Sequence, residues 1–310
     1  MDQIQRAYLL QSLCFFEALG YAPVLGEWVQ NTPYLALSTQ DEGKSKKESV
    51  QKVVGCIEEL IAEGVVRCVR GRYGFSERVD DFVQMIEKRD RFQARKYRRA
   101  RLVARWLSLF SGIRLVALAN TTAWGYARDQ SDIDFFIIVR KGCIWQARLW
   151  GVLPFKVLGW LPGPREKADA VCLSYFIADD GLDISSHQLQ SSDPYFQHWF
   201  LALLPIMDDG IGALFWEANA SIVSAFSFAK PWMVSEDLRV RPFRFRLPWF
   251  RWFEFLAEKI QRAWFPSSIR DLINVDTRVL VDEHVLKFHT DDAREEYRNK
   301  FKVICKQRGV

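Results

Sequence analysis

A chain of 310 residues, 49% hydrophobic and 26% charged, holds enough apolar side chains for two or three folded units and is not a disordered or low-complexity protein. Its net charge of +5 is modest, so the placement of charge matters more than its size. The six cysteines, Cys14, Cys56, Cys68, Cys143, Cys172 and Cys305, lack paired spacing and read as reduced core thiols, which argues against a disulfide frame or a zinc site. No basic region followed by a continuous apolar segment opens the chain, and no stretch of about eighteen uncharged apolar residues occurs, so neither a signal peptide nor a spanning helix is expected and the cytoplasm is the expected compartment.

Residues 1–76 read as a unit of their own. Ile4 to Leu19 carries apolar residues at helical spacing, Leu25 to Val29 fits a short second helix, and Lys46 to Glu63 is amphipathic, with Val50, Val53, Val54, Ile57, Leu60 and Ile61 on one stripe. Two short strand-like pieces around Gly71 follow, giving a winged-helix pattern. Lys44, Lys46, Lys47, Lys52, Arg67, Arg70 and Arg72 supply positive charge, diluted by Glu48, Glu58, Glu59 and Glu63. Such a unit either contacts nucleic acid or serves as a packing module. Residues 77–110 form a long connecting helix whose middle, Lys88 to Arg105, is the most basic part of the chain; either it is a solvated face, or Arg95, Lys96, Arg98 and Arg99 bring charge near phosphates or RNA.

The most informative segment lies in residues 111–185. Leu115 to Leu118 and Phe135 to Val139 are short apolar runs that read as neighbouring buried strands. Between them Asn120 and Thr121 form a turn opening a short helix, which aims free backbone N–H groups toward an anion. Asp132 and Asp134 lie two apart at the start of the second strand and therefore point to one face. Two converging carboxylates raise one another's pKa unless a cation sits between them, and Mg2+ with bound phosphates is the natural partner.

This arrangement resembles the nucleotidyltransferase domain of the DNA polymerase β superfamily, whose pattern is Gly-Ser, about ten residues, then Asp-x-Asp. Ser131, Asp132, Ile133 and Asp134 match the acidic part, and Ala123, Gly125, Ala127 and Arg128 match the small-residue helix before it. Asn120 and Thr121 stand where the family has Gly-Ser; Thr121 keeps a hydroxyl, whereas Asn120 adds a side chain. The resemblance implies that Asp132 and Asp134 hold Mg2+, that Asn120, Thr121 and Ser131 border the phosphates of an NTP, and that a third carboxylate comes from a later strand. Asp169, at the start of the run Ala170 to Ala178, is the candidate, and Ser174 lies where it can face the same site. Asp179, Asp180 and Asp183 surround what reads as a hairpin turn at Gly181.

Ile144 to Leu158 reads as an apolar helix ended by Gly159 and the Pro162-Gly-Pro164 loop. Residues 186–310 read as a helical C-terminal region, with helices over Tyr195 to Leu204 and Ile211 to Phe226, a capping element at Val281 to His289 and a final helix from Asp292. His284 and His289 lack the spacing of a helical metal pair and read as structural. Arg239 to Phe265 interleaves aromatics with arginines, which suits either a membrane interface or docking on the core; docking is the reading adopted, because Glu254 and Glu258 weaken attraction to anionic lipid.

The expected fold is therefore α+β: a winged helix, a polymerase-β-like core with a small mixed sheet, and a helical tail, the arrangement of a bacterial group of nucleotidyltransferase-domain proteins that it resembles. The implied activity is Mg2+-dependent transfer of a nucleoside monophosphate from an NTP to an acceptor. The alternative is a non-catalytic nucleotide- or nucleic-acid-binding regulator that keeps the fold.

Overall fold

Residues 3–33, 46–163, 168–190 and 192–310 are described by the computed structural model, so Lys44 and Pro164 lie outside the described residues. Helix α1 (Gln3–Leu19) buries Leu9, Leu13, Cys14 and Phe16, which recur on one face. In α2 (Leu25–Gln30) the Glu27 carboxylate accepts the Val24 N–H and closes the first turn. The stripe expected on α3 (Lys46–Ala62) is narrower than its spacing suggests: Val53, Cys56, Ile57 and Leu60 are buried, while Val50 and Ile61 are exposed. Strands β1 (Val66–Val69) and β2 (Arg72–Phe75) pair antiparallel across Arg70 and Gly71, both at positive φ, the conformation a two-residue hairpin turn requires.

Helix α4 (Val79–Leu107) is about 43 Å long at the usual rise. Its first half gives Val79, Phe82, Val83 and Ile86 to the cluster formed by α1, α3 and the hairpin, and its second half gives Ala100, Val103, Ala104 and Leu107 to the main core. One helix thus serves two cores.

The chain then lays down β3 (Ile113–Leu118), the single turn α5 (Asn120–Ala123), β4 (Ile133–Val139), α6 (Ile144–Val157), β5 (Val171–Ala178), α7 (Pro194–Ala202), β6 (Leu204–Asp208), α8 (Gly212–Ala218), α9 (Ala220–Val223), α10 (Arg251–Ala263), α11 (Ser267–Arg270), β7 (Val279–Val281), β8 (Val285–Phe288) and α12 (Arg294–Arg308). Six strands form one open mixed sheet in the order β6-β3-β4-β5-β8-β7, with β4 and β5 parallel and every other pair antiparallel. The parallel pair requires a crossover, which α6 supplies. The coarse class, α+β around a mixed sheet, is as the patterning predicted.

Three expectations are corrected. Residues 186–310 are not all helical, because β6, β7 and β8 belong to the central sheet, and Val281 to His289 is the β7–β8 hairpin edge of that sheet, not a separate cap. The turn at Gly181 does not join paired strands; β5 is flanked by β4 and β8, and the chain continues through a 3-10 turn at Ser185–His187 into α7. The Gly181 backbone runs so close to His284 that an added Cβ would meet the His284 Cβ at 2.9 Å.

Alternation along β4 divides the sheet's two faces. Ile133, Phe135, Ile137 and Val139 meet α4 and α6, while Phe136 and Ile138 meet the aromatic layer of α7 and α8. Asp134 extends the row of Phe136 and Ile138, so the acid pair opens on the α7 side.

Candidate functional site

Asp132 and Asp134 flank the first residue of β4 and both line a cleft of about 550 Å3, walled also by Asn120, Cys172, Ser174, Tyr175, Tyr195, Trp199, Lys287 and His289. A cleft of this volume is in the range of small-molecule sites. The convergence expected from the period-two spacing is present. Thr121 and Ser131 stand outside the cleft wall; Ser131 Oγ donates to the Arg128 carbonyl at 2.9 Å.

Asn120 sits at the cleft with a left-handed φ of 52°, a conformation asparagine tolerates better than most side chains. Tyr195 Oη donates to its Oδ1 at 3.1 Å, which fixes the amide so that its N–H2 hydrogen-bonds Asp134. Burial pushes the Asp134 carboxyl above its ordinary value, against the lowering effect of hydrogen bonds from Asn120 and Cys172. The Asn120 amide thus occupies part of the Asp134 carboxylate's acceptor capacity. The turn between β3 and β4 is therefore filled by a side chain that holds the acid.

The third acid is the main departure. In the parallel register Asp134 lies opposite Cys172 and Phe136 opposite Tyr175, so β5 carries one residue more than β4 between the two pairs. This bulge lets the successive residues Ser174 and Tyr175 both face the cleft. The position beside Asp134 is thus a thiol, itself pushed up by burial and by the Asp134 charge. Ser174 Oγ lies 3.2 Å from Cys172 Sγ and 3.0 Å from His289 Nε2.

Asp169 does not join the pair. It faces α4, where its Oδ1 accepts a hydrogen bond from the fully buried Lys96 Nζ at 2.8 Å and its carboxylate pairs with Arg95. Burial alone would raise its carboxyl; the hydrogen bonds from Arg95 and Lys96 overcome this and hold it below the ordinary value. The reason is topological: β4 and β5 present their starts to the middle of α4, and a buried lysine there demands an anion. Arg99 donates to the Asp169 carbonyl at 2.9 Å and lies over the Trp160 ring. The basic run of α4 is in good part an internal brace. Of the four expected cations Arg98 is exposed, Arg95 and Arg99 are partly exposed and Lys96 is buried.

Lys287 and His289 were not identified from sequence as site residues. Lys287 lies in β8 and His289 directly follows it, in the segment read as a cap, and their spacing of two is the signal that could have found them. Lys287 Nζ donates to the Thr277 carbonyl at 2.7 Å, and burial together with the nearby Arg294 pushes its amine down to about 7. His289 is pushed down to about 3 by burial. Arg294 braces the cleft by bonding Asp292 at 2.6 Å and Asp193 at 3.2 Å, and Asp193 in turn caps α7 through the Phe196 N–H.

The donor set suits one Mg2+, which binds through one or two carboxylates and completes its shell with water and phosphate oxygens. It does not suit a two-metal centre: among the described residues no group of three His, Cys, Asp or Glu side chains is arranged to hold a metal ion. No helix among the described residues is long and apolar enough to cross a membrane. Comparison with protein-family models, with curated proteins and with solved structures gives no match.

Proposed function

We propose that this protein binds a nucleoside triphosphate in the Asp132–Asp134 cleft, where Asp132 and Asp134 would hold one Mg2+, on a polymerase-β-like core preceded by a winged helix, and that it works as a nucleotide-responsive binding protein. The observation that carries the reading is the pair of acids on one face of β4, opening into a cleft where the residue of β5 opposite Asp134 is Cys172 and not an acid. When bound, Mg2+ would supply charge neutralisation for the phosphates. The chain's own residues do the rest: Asn120 and Tyr195 orient Asp134, and the buried, mutually stacked rings of Tyr175 and Trp199 form a rigid apolar floor to the cleft.

The three helices and the β1–β2 hairpin support a winged helix used as a packing unit. Arg67 pairs with Asp80, Arg70 with Glu87, and Arg72 donates to Tyr21 Oη and the Ala22 carbonyl, so the hairpin's cations are engaged within the chain. Transfer of a nucleoside monophosphate to an acceptor hydroxyl retains one favourable observation, the Ser174 hydroxyl beside a neutral His289 imidazole.

Titration calorimetry of ATP and GTP with Mg2+ or with chelator tests the proposal. Wild type is expected to bind only with Mg2+, and Asp132→Ala/Asp134→Ala to weaken binding at least about tenfold. Binding that survives the double substitution removes the site from consideration. Pyrophosphate release above the chelator blank would replace the binding reading with transfer. Asp134→Asn is expected to lose Mg2+-dependent binding and yet melt higher than wild type at neutral pH. The sign follows from its raised pKa: the wild-type acid is favourable to folding while protonated and loses that advantage as pH rises through its folded pKa.

A further inference from the structure

On the sheet face opposite the cleft, α6 and α10 lie side by side. The Glu254 carboxylate of α10 turns inward and accepts the Trp145 and Gln146 N–H groups at 2.7 and 3.0 Å, while Glu258 pairs with Arg262 at 2.8 Å. The two acids that weigh against attraction to anionic groups in the sequence are therefore already used. The outward surface of α10 carries Trp252 and Phe255, 69% and 61% exposed, with Arg251 and Lys259 beside them.

Behind the rim formed by Leu153 and Trp264 is a cavity of about 190 Å3 between α6, α10 and α11, walled by Leu149, Val152, Leu161, Phe265 and Ile269. Arg148 lines it. Its guanidinium lies over the Phe288 ring at 4.4 Å and donates from Nη1 to Gln261 Oε1 at 2.6 Å, but its Nε is sealed from water without a hydrogen-bond partner. Among the described residues no carboxylate pairs with it, and burial pushes the group down to about 10. An unpaired cation with an orphaned donor is a costly thing to keep beside an apolar cavity. An anion in the cavity would compensate the charge, and the planar guanidinium fork matches the two oxygens of a carboxylate or phosphate.

We propose that Arg148 receives the anionic head of an amphiphile whose apolar chain occupies the cavity between α6, α10 and α11. The neutral, apolar walls select for the chain, Arg148 selects for the head, and the exposed aromatic and basic side chains of α10 form the approach. Lys156, over the Trp264 ring at 5.1 Å, adds a second cation at the rim.

The test titrates octanoate and octanol into the full chain by calorimetry. Octanoate is expected to saturate one site and to bind at least about tenfold more tightly than octanol. Arg148→Met is expected to remove that preference while leaving octanol binding unchanged. Equal affinity for acid and alcohol, no octanoate binding, or an unaltered preference in Arg148→Met overturns the proposal. Should Arg148→Met fail to fold, the acid-to-alcohol ratio of wild type and of Arg148→Lys, which keeps the charge and is expected to retain a preference for the acid, decides it. Vesicles separate the two sources of such a head: sedimentation with phosphatidylglycerol but not phosphatidylcholine assigns it to a bilayer lipid, and octanoate binding without sedimentation assigns it to a free acid.

Discussion

Asp169→Ala is expected to lower the free energy of unfolding by about 3–5 kcal/mol, because it removes one partner of a buried ion pair and leaves the other without compensation. Lys96 has no exposed surface, and its ammonium is held by Asp169 Oδ1 at 2.8 Å, the Asp129 carbonyl at 3.3 Å and the Ser131 carbonyl. The two carbonyls cannot neutralise it. Arg95 is less affected, since it is partly exposed and keeps Asp129 at 2.6 Å. Urea unfolding followed by tryptophan fluorescence measures the loss, and Lys96→Met/Asp169→Leu is expected to recover most of it. The pH dependence has a definite sign. The folded pKa of Asp169 lies below its ordinary value of 3.8, so its contribution is complete above that value and disappears as pH falls through the folded pKa. The gap between wild type and variant therefore closes in acid. Mg2+-dependent nucleotide binding by the folded variant is expected to match wild type. A variant of wild-type stability that has lost Mg2+ binding would return Asp169 to the metal site.

Phe136→Ala is expected to cost about 3–5 kcal/mol, the range for truncating a buried phenylalanine. The side chain is fully buried and stands at the centre of an aromatic layer, with Tyr175 at 5.0 Å and Trp199 at 5.6 Å edge-on and Phe215 stacked at 5.2 Å. Tyr175 and Trp199 also wall the cleft, so a cavity behind them loosens that wall. Nucleotide affinity should fall along with thermal stability, whereas Phe136→Leu should lose about 1 kcal/mol and keep the cleft. A loss under about 1 kcal/mol for the alanine variant would mean that the neighbouring rings collapse into the gap.

The acid pair was legible because its information is local: two acids spaced by one residue on an apolar strand must share a face, whatever the rest of the chain does. The length of α4 and the strand runs at Leu115 and Phe135 were legible for the same reason. The role of Asp169 was not, since its partner Lys96 lies 73 residues away and nothing in the basic run distinguishes a buried lysine from a solvated one. The late strands were hidden by their shortness and composition. β6 contains Pro205, which reads as a helix stop, yet proline is tolerated there because β6 is an edge of the sheet. β7 has three residues and β8 four, too few for a period to emerge.

The extra residue in β5 also separates two kinds of evolutionary change. It decides which side chains look into the cleft, while position 172 decides what chemistry stands beside Asp134. Replacing Cys172 by an acid takes one substitution on an unchanged backbone. Losing the bulge takes a deletion, which keeps Tyr175 opposite Phe136 but leaves only one side chain where Ser174 and Tyr175 now look into the cleft together. Across lineages descended from this chain, the residue at 172 should therefore drift between thiol and carboxylate far more readily than the spacing from 172 to 175 changes. A site of this build can change the group beside Asp134 without refolding.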